Sequence, residues 1–168
     1  MKQAHPFDDE YSRAWQRFVL QGILEEDTIP PLVGQAWRRC ALLGVNPYAS
    51  RERSLTQEAR PRLPQDLLRL ARPAIEDLYQ FAEEAECVVV FADTEARFAD
   101  LVGSERMLQE LEHIGLYEGA LWSEDLQGAN ALALALHESF PTHLEGAMHY
   151  LAALHPFYTA AAPVHDLL

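Results

Sequence analysis

One segment constrains the fold more than any other, because it is apolar on every side of a helix. Between Ala129 and His137, alanine and leucine alternate, and Asn130 is the one polar residue before the final histidine. A helix that is hydrophobic all round is buried and does not lie on a surface. Pro141 ends the segment, since proline cannot continue a helix. The chain must therefore build its core around this helix.

Short strands interrupted by helices surround that segment. The CVVVFA run is continuous, apolar and β-branched, as in a buried strand. In the helix predicted at 31–43, Arg38 and Arg39 are expected to point away from the core. Pro73 is expected to kink or divide the helix predicted at 65–85. Strands are predicted at 87–92, 97–102, 142–145 and 158–164, helices at 7–25, 31–43, 65–85, 104–112 and 129–137, a helical turn at 149–154, an extended piece at 119–122 and a loop or linker at 46–64. This order favours an α/β or α+β sandwich over a helical bundle.

The composition excludes several functional classes. The 168 residues carry a net charge of −13, which argues against a nucleic-acid surface because such a surface needs a basic patch. Lys2 is the only lysine, so no Schiff-base lysine is available. Neither GxxxxGK nor GxGxxG occurs, and a Gly-rich nucleotide loop is not indicated.

The same sequence gives no sign of export or of membrane insertion. The N-terminus lacks an apolar signal core, and no apolar run approaches the roughly 20 residues that a membrane span needs. Cys40 and Cys87 each sit in an apolar pattern without a CxxC, and we expect reduced thiols. We therefore predict a cytoplasmic protein.

Several blocks together resemble a known family. They are QAWRRCALLGVNP (35–47), VVVFAD (88–93), LWSEDLQGANALALAL (121–136), HYLAALH (149–155) and TAAAPVHD (159–166). In order and spacing, from about residue 30 onward, they resemble the ligand-sensing GAF region of sigma-54-type transcriptional activators, in particular those of acetoin and dihydroxyacetone catabolism. The most specific feature is WSE followed by G-x-N-A and then AAP.

The resemblance implies an architecture. It is an α/β (α+β) GAF-like fold with a central, mainly antiparallel sheet flanked by helices and an N-terminal helical extension. Residues 1–63 would be a helical lead-in and linker, and residues 64–168 the sensor domain. The family continues beyond this point through another strand, an ATPase domain and a helix-turn-helix. It also implies a homodimer formed through the N-terminal helices and the helix at 65–85.

At a few positions the sequence departs from the family pattern. The family usually has Thr where Ala129 stands, Gly where Ala96 stands, and Cys where Thr159 stands. It has Glu-His-Phe at residues 148–150, where this chain has Met-His-Tyr.

A small-molecule pocket is one interpretation of the segment after residue 121. Trp122 offers an apolar face and one N–H, Ser123 and Glu124 add polar groups, and Asn130 can donate and accept near a helix start. The resemblance adds Phe91, Asp93, His149 and Tyr150 to these candidate ligand-binding residues. The alternative is structural, with Trp122 in the core, Glu124 as an exposed charge and Asn130 as a helix cap.

The histidines invite a metal hypothesis, which the spacing does not support. His137, His143, His149 and His155 recur every six residues, but six residues rotate a helix by about 600°, so the rings do not share a face. No HExxH and no GxSxG occur. We predict no catalytic set, no metal and no cofactor.

These observations favour a non-catalytic sensor over two alternatives. We predict a regulatory domain that binds a small metabolite and signals through a helical dimer interface, without direct contact to nucleic acid or membrane. The first alternative is a ligand-free interaction or dimerisation module, in which aromatic stripes such as Trp15, Trp37 and Phe81 are core or interface. The second is a His-rich metalloprotein.

Overall fold

The computed structural model describes residues 8–49 and 63–165 of the chain. The helices are α1 (Asp8–Gln21), α2 (Pro31–Leu42), α3 (Gln65–Ala82), α4 (Glu105–Glu112), α5 (Glu124–Gln127) and α6 (Ala131–Glu138). The strands are β1 (Val88–Ala92), β2 (Phe98–Gly103), β3 (Thr142–Glu145) and β4 (Tyr158–Ala161). Short 3-10 turns cover Glu83–Ala85, Gly146–Met148 and Ala152–Leu154.

These elements form two compact units. The first unit combines Met1–Ala49 with Ser123–Leu168, and the second unit is Ser50–Trp122. The first unit therefore combines an N-terminal with a C-terminal segment, whereas the second is continuous in sequence. The predicted division at residues 63 and 64 stays a prediction, and most of the predicted linker at 46–64 lies outside the described residues.

The first unit is built around α6, as its composition predicts. Ala131, Ala133, Leu134 and Ala135 are buried, and α6 packs against both β3 and β4. These strands pair antiparallel over their full length, with Leu144 opposite Thr159. The helix begins after Asn130, whose side chain accepts a hydrogen bond from the Ala133 N–H. The prediction of a buried helix between residue 129 and Pro141 is confirmed.

The second unit is a helix packed on a hairpin. α3 contacts β1 and β2, which pair antiparallel with Val89 opposite Val102. Pro73 lies inside α3 without dividing it, and Ile75 is the buried residue of its inward face. Ser104 caps α4 by accepting from the Met107 N–H, so the predicted cap of this helix is confirmed.

The strands confirm an antiparallel, mixed helix-and-sheet fold but differ from the single central sheet that we expected. In the part of the chain that the structure describes, β1–β2 and β3–β4 form separate two-stranded sheets. Each pair belongs to a different unit. The extended piece at 119–122 contributes one bridge, between Leu121 and Arg97. Among the described residues, no helix is both long enough and apolar enough to cross a membrane.

The end of α6 gives a test of backbone strain. Ser139 follows α6 in the left-handed conformation, with φ 53° and ψ 36°, and its side chain is exposed. This conformation costs a residue with a Cβ about 1–2 kcal/mol, and glycine has no such penalty. We expect Ser139→Gly to raise the free energy of unfolding by about 0.5–1 kcal/mol, after the larger entropy loss of glycine, measured by urea titration. Ser139→Ala, the control, keeps the Cβ and should give no gain; an equal gain in both variants would contradict strain as the cause.

Candidate functional site

Two tryptophans from the N-terminal helices hold one segment near the other end of the chain. The Trp15 indole N–H donates to the Tyr150 carbonyl at 3.0 Å, and the Trp37 indole N–H donates to the Met148 carbonyl at 2.9 Å. Both bonds are buried, and an indole has only this one donor to satisfy. The bonds therefore fix residues 148–150 against α1 and α2.

His149 lies between these two anchors and is fully buried. Its Nδ1 is 2.9 Å from the Gly146 carbonyl, which can only accept, so Nδ1 carries the proton. Its Nε2 then accepts from the Thr159 hydroxyl at 2.8 Å. Burial lowers the pKa of His149 to about 4, with a smaller contribution from nearby His155. The ring is therefore neutral at pH 7.

His155 supplies a third ring N–H donor to the segment 148–150. The His155 Nε2 lies 3.2 Å from the His149 carbonyl, and the His155 ring stacks edge-to-face on Trp15 with centroids 4.6 Å apart. Because a carbonyl accepts, His155 Nε2 is the donor. Each of the three successive carbonyls of residues 148–150 thus accepts from an aromatic ring N–H. The sequence showed the aromatic residues but not this shared target.

The turn before α6 packs closely against Tyr150. The Asn130 amide donates to the Gly128 carbonyl at 2.9 Å while its oxygen caps α6. The Tyr150 N–H donates to the Ala129 carbonyl at 3.1 Å. Gly128 has φ 65° and ψ −171°, and a Cβ added there would lie 2.9 Å from the Tyr150 Cβ. Asn130 therefore has the local capping role that was the structural alternative for it.

Glu124 is held by Arg39. Arg39 approaches its carboxylate with Nε at 3.0 Å and a second guanidinium nitrogen at 3.1 Å. Arg39 was predicted to point away from the core, but it lies beside this largely buried carboxylate, where a bidentate pair offsets desolvation. Arg38, on the adjacent side of the helix turn, pairs with Glu26 at the surface as expected of an outward residue.

The nearby thiol is not reactive. Cys40 is fully buried, and its Sγ lies 3.8 Å from a Glu124 oxygen. Burial, and then the negative charge of Glu124, raise the pKa of Cys40 to about 12. The thiol stays protonated, whereas nucleophilic attack requires the thiolate. Both cysteines are free thiols.

Ser123 and Tyr150 are the other two candidate ligand-binding residues of the first unit. The Ser123 hydroxyl donates to the Asp125 carboxylate just before α5. Tyr150 is nearly buried, and burial raises its pKa. Among the described residues, none hydrogen-bonds to the Tyr150 hydroxyl, so this oxygen is the part of the side chain that stays accessible.

The remaining three candidates, Phe91, Asp93 and Trp122, belong to the second unit. Asp93 is buried, and its carboxylate accepts from the N–H groups of Glu95 and Arg97, both at 2.9 Å, which organises the hairpin turn. Trp122 donates to the Gly115 carbonyl at 3.1 Å.

The eight predicted ligand-binding residues are divided between the two units. Trp122 is a core residue of the second unit, and Phe91 is half-buried in β1. Ser123, Glu124, Asn130, His149 and Tyr150 belong to the first unit. Contact with a ligand stays a prediction for all eight residues.

The histidines do not assemble a metal centre in residues 8–49 and 63–165. No group of three or more His, Cys, Asp or Glu side chains in this part of the chain could hold a metal ion. His137 pairs with its neighbour Glu138, and His143 stacks on Tyr158. Every buried side-chain nitrogen or oxygen in these ranges has a hydrogen-bond partner.

The burial of His149 makes stability depend on pH. Its folded pKa of about 4 lies below the ordinary value of 6.5, so the unfolded chain takes up the proton first as the pH falls. Above pH 6.5, the neutral His149 ring makes its full contribution of roughly 3 kcal/mol to the free energy of unfolding. This contribution is lost as the pH falls from 6.5 to 4. We expect urea titrations at pH 7, 5 and 4 to show this loss for the native chain relative to His149→Asn. Asparagine keeps a donor near Nδ1 without titrating, and parallel pH profiles would contradict the prediction.

The contact at Gly128 is testable against a matched glycine. Gly128→Ala adds a methyl group against Tyr150 in a conformation that only glycine adopts readily, so we expect a loss of about 3 kcal/mol or more. Gly44 also has a positive φ, 71°, but an added Cβ meets nothing within 4 Å. Gly44→Ala should therefore cost only about 1 kcal/mol. Equal losses in thermal or urea unfolding would show that Tyr150 does not constrain the turn.

Comparison with known proteins shows that the chain is similar to one part of several bacterial regulatory proteins. It is 32% identical over 157 residues to the acetoin dehydrogenase operon transcriptional activator AcoR of Bacillus subtilis, covering 91% of this chain and 26% of that protein. It is 31% identical over 140 residues to the acetoin catabolism regulatory protein of Cupriavidus necator, covering 80% of this chain and 21% of that protein. The chain thus spans about a quarter of these relatives.

A solved structure shares the fold. The crystal structure of the Escherichia coli DhaR(N)–DhaL complex aligns with a TM-score of 0.66 and 24% identity, over 81% of this chain and 47% of that one. The family model described as the MimR N-terminal domain matches residues 6–168. With that match over nearly its whole length, the chain belongs to the MimR N-terminal domain family.

Proposed function

We propose that the chain is the sensory module of a cytoplasmic, sigma-54-type transcriptional activator, a non-catalytic GAF-like domain that binds a small metabolite. The observation that carries this proposal is the family match over residues 6–168. It is supported by two relatives above 30% identity, one named as an acetoin dehydrogenase operon transcriptional activator and the other as an acetoin catabolism regulatory protein. The chemistry of the first unit is consistent with it. Its buried cysteine is protonated and its buried histidine is neutral and doubly hydrogen-bonded.

The proposed ligand is a small hydroxyketone or polyol. Relatives are named for acetoin, glycerol and dihydroxyacetone operons. Such ligands need a few hydrogen-bonding groups in an otherwise apolar wall. The proposed contacts come from Phe91, Asp93, Trp122, Ser123, Glu124, Asn130, His149 and Tyr150.

Tyr150 is the most informative of these residues. Its ring packs against Gly128, and its hydroxyl has no hydrogen-bond partner in the described part of the chain. The amide of Asn130 and the imidazole of His149 are already engaged with protein groups. A ligand could therefore bind the Tyr150 hydroxyl without breaking an existing hydrogen bond.

The proposed output is a change in a homodimer. A ligand with different affinities for two arrangements of the dimer shifts their populations. The proposed dimer elements are the N-terminal helices and α3. In the first unit, α1 and α2 are tied through Trp15 and Trp37 to residues 148–150, which include two of the proposed ligand contacts.

The first test is native mass spectrometry of the purified chain, followed by thermal unfolding with acetoin, dihydroxyacetone and glycerol. A bound ligand at 100 times its Kd should stabilise the fold by about 2.7 kcal/mol. We expect Tyr150→Phe, which removes only the hydroxyl, to weaken binding at least about tenfold, since one hydrogen bond is lost.

Tyr158→Phe is the matched control, because the Tyr158 side chain is exposed. It should bind as the native chain does. The absence of a bound mass, with no ligand moving the unfolding temperature, would overturn the sensor proposal. Equal affinity in Tyr150→Phe and the native chain would remove Tyr150 from the site.

A second candidate is a protein-interaction module. One observation favours it: the structural neighbour was solved as a complex of two proteins, DhaR(N) and DhaL. This candidate expects no bound metabolite and a change in sedimentation on adding a partner protein. The ligand titrations above separate it from the sensor.

A further inference from the structure

Two side chains of the first unit are almost completely buried, yet their polar groups are unused within the described residues. Gln127 is 7% exposed and Tyr150 is 4% exposed. Among the described residues, none hydrogen-bonds to the Gln127 carboxamide or to the Tyr150 hydroxyl. Every fully buried side-chain nitrogen or oxygen in these ranges has a partner, so the small exposed part of each residue includes its polar atoms.

The two residues differ in this from the other polar side chains that the described ranges bury to the same degree. Each of those has a protein partner: Asp93, Arg97, Asn130, Thr142, His149 and the buried indole N–H groups. Buried polar groups in native proteins are normally paired in this way, and an exception calls for an explanation. Convergent polar groups in an otherwise satisfied interior indicate a binding site.

A fixed turn brings Gln127 close to Tyr150. Gln127 is followed by Gly128, where an added Cβ would lie 2.9 Å from the Tyr150 Cβ. The Tyr150 N–H donates to the Ala129 carbonyl at 3.1 Å, and the Asn130 amide donates to the Gly128 carbonyl at 2.9 Å. The backbone next to Gln127 is therefore held directly against Tyr150.

Cys40 lies beside both residues. Its Sγ is 3.8 Å from a carboxylate oxygen of Glu124. Glu124 and Gln127 are three residues apart in α5, so their side chains are neighbours on that helix. Tyr150 is near as well, since burial and then the Cys40 thiol raise the pKa of the Tyr150 hydroxyl. The protonated thiol thus adds a weakly polar wall beside two hydrogen-bonding groups.

We propose that the Gln127 carboxamide and the Tyr150 hydroxyl together bind the two polar groups of one small, uncharged ligand. This inference rests on the proposed metabolite site and deepens it, because it adds Gln127, which is not among the eight residues proposed there. A carboxamide and a phenol each offer a donor and an acceptor. The pair therefore fits a compound that carries a hydroxyl and a carbonyl, or two hydroxyls.

The charges around Gln127 disfavour an anionic ligand. The Glu124 carboxylate is 15% exposed and is paired with Arg39 at 3.0 and 3.1 Å. Burial is the main reason that the pKa of Cys40 is about 12, and the charge of Glu124 raises it further by more than the charge of Arg39 lowers it. The field beside Gln127 is thus negative on balance, and an anion would lose its water without gaining a counter-charge.

Calorimetric titration of the full chain with acetoin, which has one hydroxyl and one carbonyl, tests the added residue. Gln127→Met keeps an unbranched side chain of similar length and removes its hydrogen-bonding atoms. We expect it to weaken acetoin binding at least about tenfold, because one hydrogen bond is lost. Gln16→Met is the matched control, since Gln16 is exposed on α1, and it should bind as the native chain does.

Two analogues test the ligand class in the native chain. Butanone lacks the hydroxyl of acetoin, and lactate carries a carboxylate in place of the ketone. We expect each to bind at least about tenfold more weakly than acetoin. Lactate that binds as tightly as acetoin would overturn the uncharged ligand, and butanone that does so would overturn the pair of polar contacts.

Thermal unfolding of the ligand-free variants separates binding from a structural role. No described residue hydrogen-bonds to the Gln127 carboxamide, so Gln127→Met should unfold at the native temperature or above it. A clearly lower unfolding temperature than that of Gln16→Met would assign the carboxamide to the fold and overturn the inference.

The outcomes separate this inference from the proposed function. Acetoin, dihydroxyacetone or glycerol that binds the native chain and Gln127→Met equally removes Gln127 from the site while the sensor stands. A native chain that binds none of the three overturns both the sensor and the role of Gln127.

Discussion

The first unit depends on one interaction: three consecutive backbone carbonyls accept hydrogen bonds from three aromatic ring nitrogens. Trp37, His155 and Trp15 supply the donors to residues 148–150. A buried carbonyl left without a donor costs about 1–3 kcal/mol, so removing any one ring costs both its packing and its hydrogen bond. The arrangement also aligns His149, since a backbone held on both sides of the residue leaves its ring little freedom between Gly146 and Thr159.

The polar groups of the first unit are almost all engaged inside the protein. Arg39 occupies Glu124, and Asn130 closes the turn that begins at Gly128. These bonds hold the side chains in fixed positions within a tightly packed interior. In such an interior, a small change in packing can switch the protein from one discrete arrangement to another, because a tightly packed interior does not deform continuously.

The structural features that depend on residues close in sequence could be predicted from the sequence. The periodicity of apolar residues located α6, and the position of Ser104 before a helix located its cap. The bidentate contact of Arg39 could not be predicted in this way, because its partner lies 85 residues away. The same holds for the division of the strands into two sheets, which depends on which segments share a unit. Ala96 was partly predictable. The sequence shows that alanine replaces the glycine that is usual in the family, and the structure shows that Ala96 has a positive φ of 65°.

The discontinuous first unit has a consequence for how the chain folds during synthesis. Trp37 emerges from the ribosome 111 residues before its hydrogen-bond partner at residue 148. At roughly 5–20 residues per second, α2 waits about 6–22 seconds with its core face uncovered. The second unit is continuous and can fold in that interval. The N-terminal helices therefore remain without their C-terminal partners throughout this interval, and synonymous codons that slow elongation between the two halves should lower the yield of folded protein without changing its final stability.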